Sequence, residues 1–481
     1  MKLATIGILA LCLALQSCAI NPVTGKQDFA IVSESEEIKQ GRQYHKSIVD
    51  RYGVYDDPQL QQYVNRIGQE LAARSHRSHL KFKFTVLDSP EINAFALPGG
   101  YIYITRGIMA YLDSEAELAG VLGHEIGHVT ARHSVRQQSG QVVSNVLSVL
   151  IAATTGQSEL GNLSQQLGTG LIRGYGREHE LEADKLGAEY LHKTGYNPET
   201  MLEVIGVLKD QEVYEKALAK KEKREAQTYH GVFSTHPRND DRLKTVVRAA
   251  KKLSSQSYRD DNQAVYHDMI DGMVWGPSLK QGIVVNNRFA HPELGFALQL
   301  PANWKVRNDP DFLMARNPAT GALVQIGLVD LKKDEKLPAL LKRLTQNSEL
   351  KVSKTSYGVT AKTRVKPQGG DKQPARLSAI PLQNAQVLTL LGSSIKKEFP
   401  ATDKKLLEVN QSFTRLSPAQ IDAIDAPRLQ IISRKSQSFD SLARQSAIDY
   451  EAESILRLLN RAFPKGDINT LDKLKTVTLD D

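Results

Sequence analysis

His124-Glu125-Ile126-Gly127-His128 places two imidazoles four residues apart, with a carboxylate directly after the first. Residues four apart share one face of a helix, so both rings can reach a single ion at about 2.0–2.1 Å. Glu125 would sit beside that ion and could take a proton from a water acidified by the metal. The helix this requires is signalled just upstream. Ser114-Glu115-Ala116-Glu117 reads as a capping box, and Leu118, Val121 and Leu122 continue the apolar helical spacing. Two histidines leave a tetrahedral ion one protein ligand short, even with one position kept for water. The elongated motif with a third histidine needs glycine at 131 and histidine at 134, where this chain has Ala131 and Ser134. His133 is off that spacing and is expected to be a surface or packing residue. A carboxylate on a second helix remains. Glu178, His179, Glu180, Glu182 and Asp184 crowd one candidate helix, and spacing alone does not choose among them.

The 481 residues are enough for two or three domains, and 41% hydrophobic with 24% charged residues is the composition of a folded chain. A net charge of +8 over this length is too dilute for a nucleic-acid partner. Cys12 and Cys18 are the two cysteines, which excludes a disulfide frame and both Cys₄ and Cys₂His₂ zinc sites. Any metal must therefore be held by His, Asp or Glu. Lys2 followed by the apolar run 3–15 reads as a signal peptide, too short to span a bilayer. Leu15-Gln16-Ser17-Cys18 resembles a bacterial lipobox, which implies a signal peptide over 1–17 and a lipid on Cys18. Ala19, by the same resemblance, points to outer-membrane anchorage. The longest later apolar stretch, 142–153, is broken by Ser144, Asn145 and Ser148 and reads as a buried or lid helix.

Strands are predicted over 82–86 and 101–105, with Pro98-Gly99-Gly100 as the turn before the second. The second strand is expected to accept a substrate segment as an added antiparallel strand. A helix should open at Asn197-Pro198-Glu199, and residues 140–175, rich in Ser, Gly, Gln and Leu, read as a lid. Gly272, Gly276, Pro277 and Gly282 mark a linker over 261–282. Short strands with turn residues fill 283–415, read as a small α/β accessory domain. The block 428–478 reads strand, helix, helix, strand over 429–432, 439–444, 454–460 and 474–477.

The histidine motif, with Glu180-Leu181-Glu182-Ala183-Asp184 downstream, resembles the gluzincin metallopeptidase family of the CAAX prenyl proteases, HtpX and BepA. Asn93-Ala94-Phe95-Ala96-Leu97-Pro98-Gly99-Gly100, Ser234-Thr235-His236-Pro237 and Asn21-Pro22-Val23-Thr24-Gly25 extend the likeness across most of residues 19–250. The resemblance implies one Zn2+ per chain on His124, His128 and Glu180, with Glu125 as general base. Asp184 would orient a ligand histidine, and Glu182 would be structural. His236 is the candidate oxyanion donor or an occasional ligand in a closed state. The chain lacks the spanning helices of the prenyl proteases and HtpX, so it is similar to the periplasm-facing lipoprotein branch. The last block resembles a LysM module, although Ser436-Gln437-Ser438 stands where that module usually has Gly-Asp-Thr.

The expected architecture is α+β: a mainly helical zincin-type domain with a small β-sheet over 18–260, then the α/β accessory domain, then the βααβ LysM-like module. The expected function is a zinc endopeptidase of the bacterial cell envelope, a periplasmic lipoprotein held to the membrane by its lipid and acting on misfolded or unassembled envelope proteins. Two alternatives stand beside it. One is an envelope chaperone or assembly lipoprotein with a latent, gated zinc site. The other is a hydrolase that binds peptidoglycan and cleaves its peptides.

Overall fold

The computed structural model describes residues 18–29, 32–139, 176–222, 257–308, 312–366, 371–434, 438–448 and 450–479, with a few more between 225 and 253. His236 and the whole of the stretch 140–175 read as a lid fall outside these residues. The chain divides into two compact units, one joining Met1–Met273 to Arg428–Thr478, the other Val274–Pro427 with the last three residues. Both mix helices with sheets, so the fold is α+β.

In the first unit, Cys18–Ile20 and Gln27–Phe29 pair as a hairpin. Its turn explains the Asn21-Pro22-Val23-Thr24-Gly25 motif: Asn21 Oδ1 accepts from the amides of Val23 (2.8 Å) and Thr24 (3.1 Å), and Gly25 takes a positive φ. Helices Glu34–Tyr52 and Pro58–Ala72 follow, capped by Ser33 and Asp57. A three-stranded sheet comes next. Tyr101–Thr105 is its centre, parallel to Lys83–Leu87 on one side and antiparallel to Ala94–Leu97 on the other.

This corrects the expectation that Tyr101–Thr105 offers a free edge. The Pro98-Gly99-Gly100 turn folds Ala94–Leu97 back along it, and Lys83–Leu87 takes the other side, so these two are the outer strands. The turn needs its glycines: Gly99 has φ of 78°, and a Cβ there would fall 2.6 Å from the Ile38 Cα. The tyrosine–isoleucine alternation is not a solvent alternation either, since all five residues of Tyr101–Thr105 are buried. Tyr103 is accommodated because its hydroxyl meets His45 Nδ1 at 2.7 Å.

The motif helix, Glu115–Thr130, is buried along its whole length. Arg177–Lys193 crosses it where both helices are glycine. A Cβ on Gly187 would lie 3.1 Å from His124 N, and one on Gly127 would lie 3.0 Å from Ala183 O. Helix Thr200–Lys221 begins two residues later than expected, because Asn197 Oδ1 caps a turn at Glu199 (3.0 Å) instead of the helix itself. The stretch read as a linker contains the helix Gln263–Ile270.

Within the same unit, Arg428–Ser433 and Lys473–Thr478 form an antiparallel pair joined through helices Phe439–Gln445 and Ala452–Leu459. Lys475, almost fully buried, donates from this block to the carbonyls of Ala110 (3.2 Å) and Leu112 (2.5 Å) and lies 3.3 Å from Asp113 Oδ1. Arg461 donates to Glu117 on the first turn of the motif helix.

The second unit holds a seven-stranded and a four-stranded sheet, every pairing antiparallel. Helices Leu337–Thr345 and Phe399–Gln411 pack on it, the latter pinned by Arg376 to both oxygens of Asp403 at 2.6 and 2.8 Å. Among the described residues, no helix is long and apolar enough to cross a membrane.

Candidate metal centre

The motif helix is held at both ends before any ligand is considered. At its start, Ser114 Oγ accepts from the Glu117 amide at 3.1 Å, while the Glu117 carboxylate accepts from Asp113 N at 2.8 Å. The expected capping box is thus displaced by one residue on its second arm. Glu115 collects Arg66 (2.6 Å), Tyr196 (2.7 Å), Arg259 (2.7 Å) and Asn262 (3.0 Å). Burial alone would raise its carboxyl, but these donors hold it down at about 2. At the far end, buried Arg77 donates to Val129 O at 2.9 Å and to Glu37 at 2.8 Å, and Arg132 grips the same carboxylate at 3.0 Å. Thr130 and Tyr190 hydroxyls meet at 2.9 Å, tying the motif helix to Arg177–Lys193.

Between these anchors His124 and His128 present Nε2 atoms 3.0 Å apart. Glu180, from the crossing helix, brings its carboxylate within 3.5 Å of His124 Nε2 and 3.4 Å of His128 Nε2. The three ligand atoms lie within 4.8 Å of one another on buried residues. Two imidazoles and one carboxylate are a donor set that suits Zn2+, with the fourth position left to water. Glu125, 1% exposed, lies in sequence between them. Of the crowd on the second helix, Glu180 is the one brought to both histidines. Asp184, one turn on, reaches the other side of the first ring, its Oδ1 2.9 Å from His124 Nδ1.

The structure also recruits residues that spacing had set aside. His133 is neither exposed nor simple packing. It is fully buried, with Nδ1 2.8 Å from His128 Nδ1 and Nε2 3.1 Å from Glu182 Oε2. Arg136 donates to the same Glu182 oxygen at 2.7 Å. Burial pushes His133 below its ordinary value, against the pull of Glu182. The hydrogen bond from His133, with that from Arg136, outweighs burial and holds Glu182 at about 2. His179 stacks on His133 at 4.3 Å, and burial, with His133 and Arg136 nearby, lowers it to about 4. The helix ends at Thr130 and Arg132 takes a φ of 53°, which turns the chain back and returns His133 beneath His128. A five-residue spacing has no meaning on a continuous helix. The signal available was the break itself, in which no glycine announces the reversal.

Paired histidines on one helix, completed by a glutamate from a second, resemble the ligand arrangement of metallopeptidases of the zincin class. Residues 58–250 match the model of Peptidase family M48. The chain is 30% identical over 242 residues to the Escherichia coli (strain K12) beta-barrel assembly-enhancing protease, covering 48% of this chain and 47% of that protein. Its counterpart in Yersinia pestis is 30% identical over 253 residues, 49% of this chain and 50% of the relative. The mitochondrial metalloendopeptidase OMA1 of Schizosaccharomyces pombe is 32% identical over 181 residues, 37% and 53% of the two chains. The chain thus spans about half the length of these relatives.

Proposed function

We propose that this chain is a zinc-dependent endopeptidase of the cell envelope that hydrolyses peptide bonds in misfolded or unassembled envelope proteins. The convergence of His124, His128 and Glu180 carries the reading. The relatives named beta-barrel assembly-enhancing protease support the substrate class. Cys18 is the lipid-bearing residue, and Ala19 places the anchor in the outer membrane. Held by His124, His128 and Glu180, one zinc ion would acidify water and polarise a peptide carbonyl. Glu125 takes the proton from the attacking water and returns it to the leaving amine. Asp184, with Oδ1 2.9 Å from His124 Nδ1, orients that ring. His236 stabilises the developing oxyanion. Ala94–Leu97, one of the two outer strands, receives the extended substrate backbone, which selects unfolded chains over any one side chain.

The test compares cleavage of casein by the zinc-loaded parent and by Glu125→Gln. The variant should keep zinc and lose about 10²–10⁴-fold in rate. Equal cleavage by both would remove Glu125 from the mechanism, and absence of zinc binding by the parent would remove the metal site. A second reading, a chaperone or assembly factor with a gated site, is favoured by one observation: all three ligand residues and Glu125 are buried. Zinc bound by both forms with casein left intact by both would put that reading first.

A further inference from the structure

Asp184 braces the first ligand histidine; the second, His128, faces a different partner. Its Nδ1 lies 2.8 Å from His133 Nδ1, and the opposite nitrogen of His133 lies 3.1 Å from Glu182 Oε2. The Glu182 carboxylate is placed to accept from His133 Nε2, and a ring that donates there can accept at Nδ1. In that arrangement His128 Nδ1 is the donor in the 2.8 Å hydrogen bond between the two rings. That fixes His128 in the tautomer whose Nε2 lone pair is free, and Nε2 is the atom that faces Glu180 at 3.4 Å. Arg136, 2.7 Å from the same Glu182 oxygen, holds the far end of the chain in place.

We propose that His133 and Glu182 form a hydrogen-bonded relay that sets the tautomer and orientation of the metal ligand His128, making His133 a positioning residue for the metal. The inference rests on the metal-site reading above. The relay differs from the direct Asp184 brace on His124 in having an imidazole between the ligand and the carboxylate. Arg177–Lys193 therefore supports both histidines of the motif helix besides supplying Glu180: Asp184 acts directly and Glu182 acts through His133. Residues at 180, 182 and 184 of one helix thus serve one centre in three ways.

The experiment uses the full chain and three variants, His133→Leu, His133→Gln and Glu182→Ala. Zinc affinity is measured by competition with a chromophoric chelator, and the visible absorption of the Co2+-loaded protein reports ligand geometry. Far-UV circular dichroism checks that each variant is folded. Leu offers no acceptor to His128, so affinity should fall about 10–100-fold and the cobalt bands should shift. Gln returns an acceptor oxygen, so His133→Gln should recover most of that loss. If His133→Leu does not fold, Glu182→Ala reads the same relay with His133 still present, and about 10-fold weaker zinc binding is expected. Parent-like zinc affinity and cobalt bands in a folded His133→Leu or Glu182→Ala overturn the proposal. A parent that binds neither metal overturns the metal-site reading instead.

Discussion

Lys475→Met tests whether the C-terminal block braces the motif helix or merely follows it in sequence. Lys475 is 2% exposed, and its ammonium serves the carbonyls of Ala110 and Leu112 and the carboxylate of Asp113. Methionine keeps the apolar stem and fills most of the volume, so the loss is almost wholly polar. Breaking a buried ion pair from one side costs about 3–5 kcal/mol. Three features reduce that here. Asp113 keeps His267 at 2.7 Å and Gln263 at 2.5 Å, its side chain is 31% exposed, and the variant is spared the desolvation of the ammonium. Two carbonyls orphaned at the end of helix Arg106–Tyr111 add back part of the loss. The net expectation is about 2–3 kcal/mol. With a urea slope of roughly 3 kcal/mol/M, the midpoint followed by circular dichroism should fall by about 1 M. Adding Asp113→Asn should recover part of it, because the second charge is then no longer stranded. An unchanged midpoint in Lys475→Met would refute the argument, and a raised one would show that the desolvation cost of the buried lysine dominates.

Three further outcomes are expected. Glu115→Gln should flatten the acid limb of stability. A carboxyl at about 2 when folded, against the ordinary 4.5, stabilises above pH 4.5 and loses that contribution as pH falls toward 2, so the variant should be about 2–3 kcal/mol weaker at pH 7 and nearly equal to the parent at pH 2; a constant difference across urea titrations from pH 2 to 7 would contradict this. Gly187→Val, at a crossing where a Cβ meets His124 N at 3.1 Å, should cost about 1–3 kcal/mol and weaken zinc binding by separating Glu180 from the histidines, measured by thermal unfolding and chelator competition. Zinc restored to chelator-stripped protein at about 100 times its Kd should raise unfolding free energy by about 2.7 kcal/mol, and Glu180→Gln should respond far less.

The parts of this molecule legible in the sequence are those whose physics is local. His124, Glu125 and His128 are readable because helical spacing alone puts the two histidines on one face, and Ser114 caps the helix that carries them. In the last block, helix Ala452–Leu459 is readable because its apolar residues share one face. Which residue of the second helix meets the two histidines was not local. Five titratable residues stood on one candidate helix, and only its crossing angle, set by backbone contact at Gly123, Gly127 and Gly187, decides that Glu180 faces the histidines. Family resemblance supplied the same residue without supplying that reason.

The remaining features depend on chain reversals and pairings that no periodicity encodes. Tyr101–Thr105 has the alternation of an edge strand, yet its neighbours on both sides make it the centre, because a turn three residues long and a parallel partner upstream outweigh its own pattern. His133 fails every helical spacing rule because it stands past a reversal at Arg132, a non-glycine residue in a left-handed conformation. Such a conformation is costly on its own. It is sustained by Arg132 itself, whose guanidinium donates to Glu37 at 3.0 Å and to Val32 O at 2.7 Å. The same Glu37 pairs with Arg77, which also holds the last carbonyls of the motif helix through Val129. One buried carboxylate on the first long helix thus secures both the end of the motif helix and the turn that delivers His133 to His128. Arg132→Gly would ease the backbone but release those contacts, so a loss of metal affinity there would locate the requirement in the side chain and not in the turn.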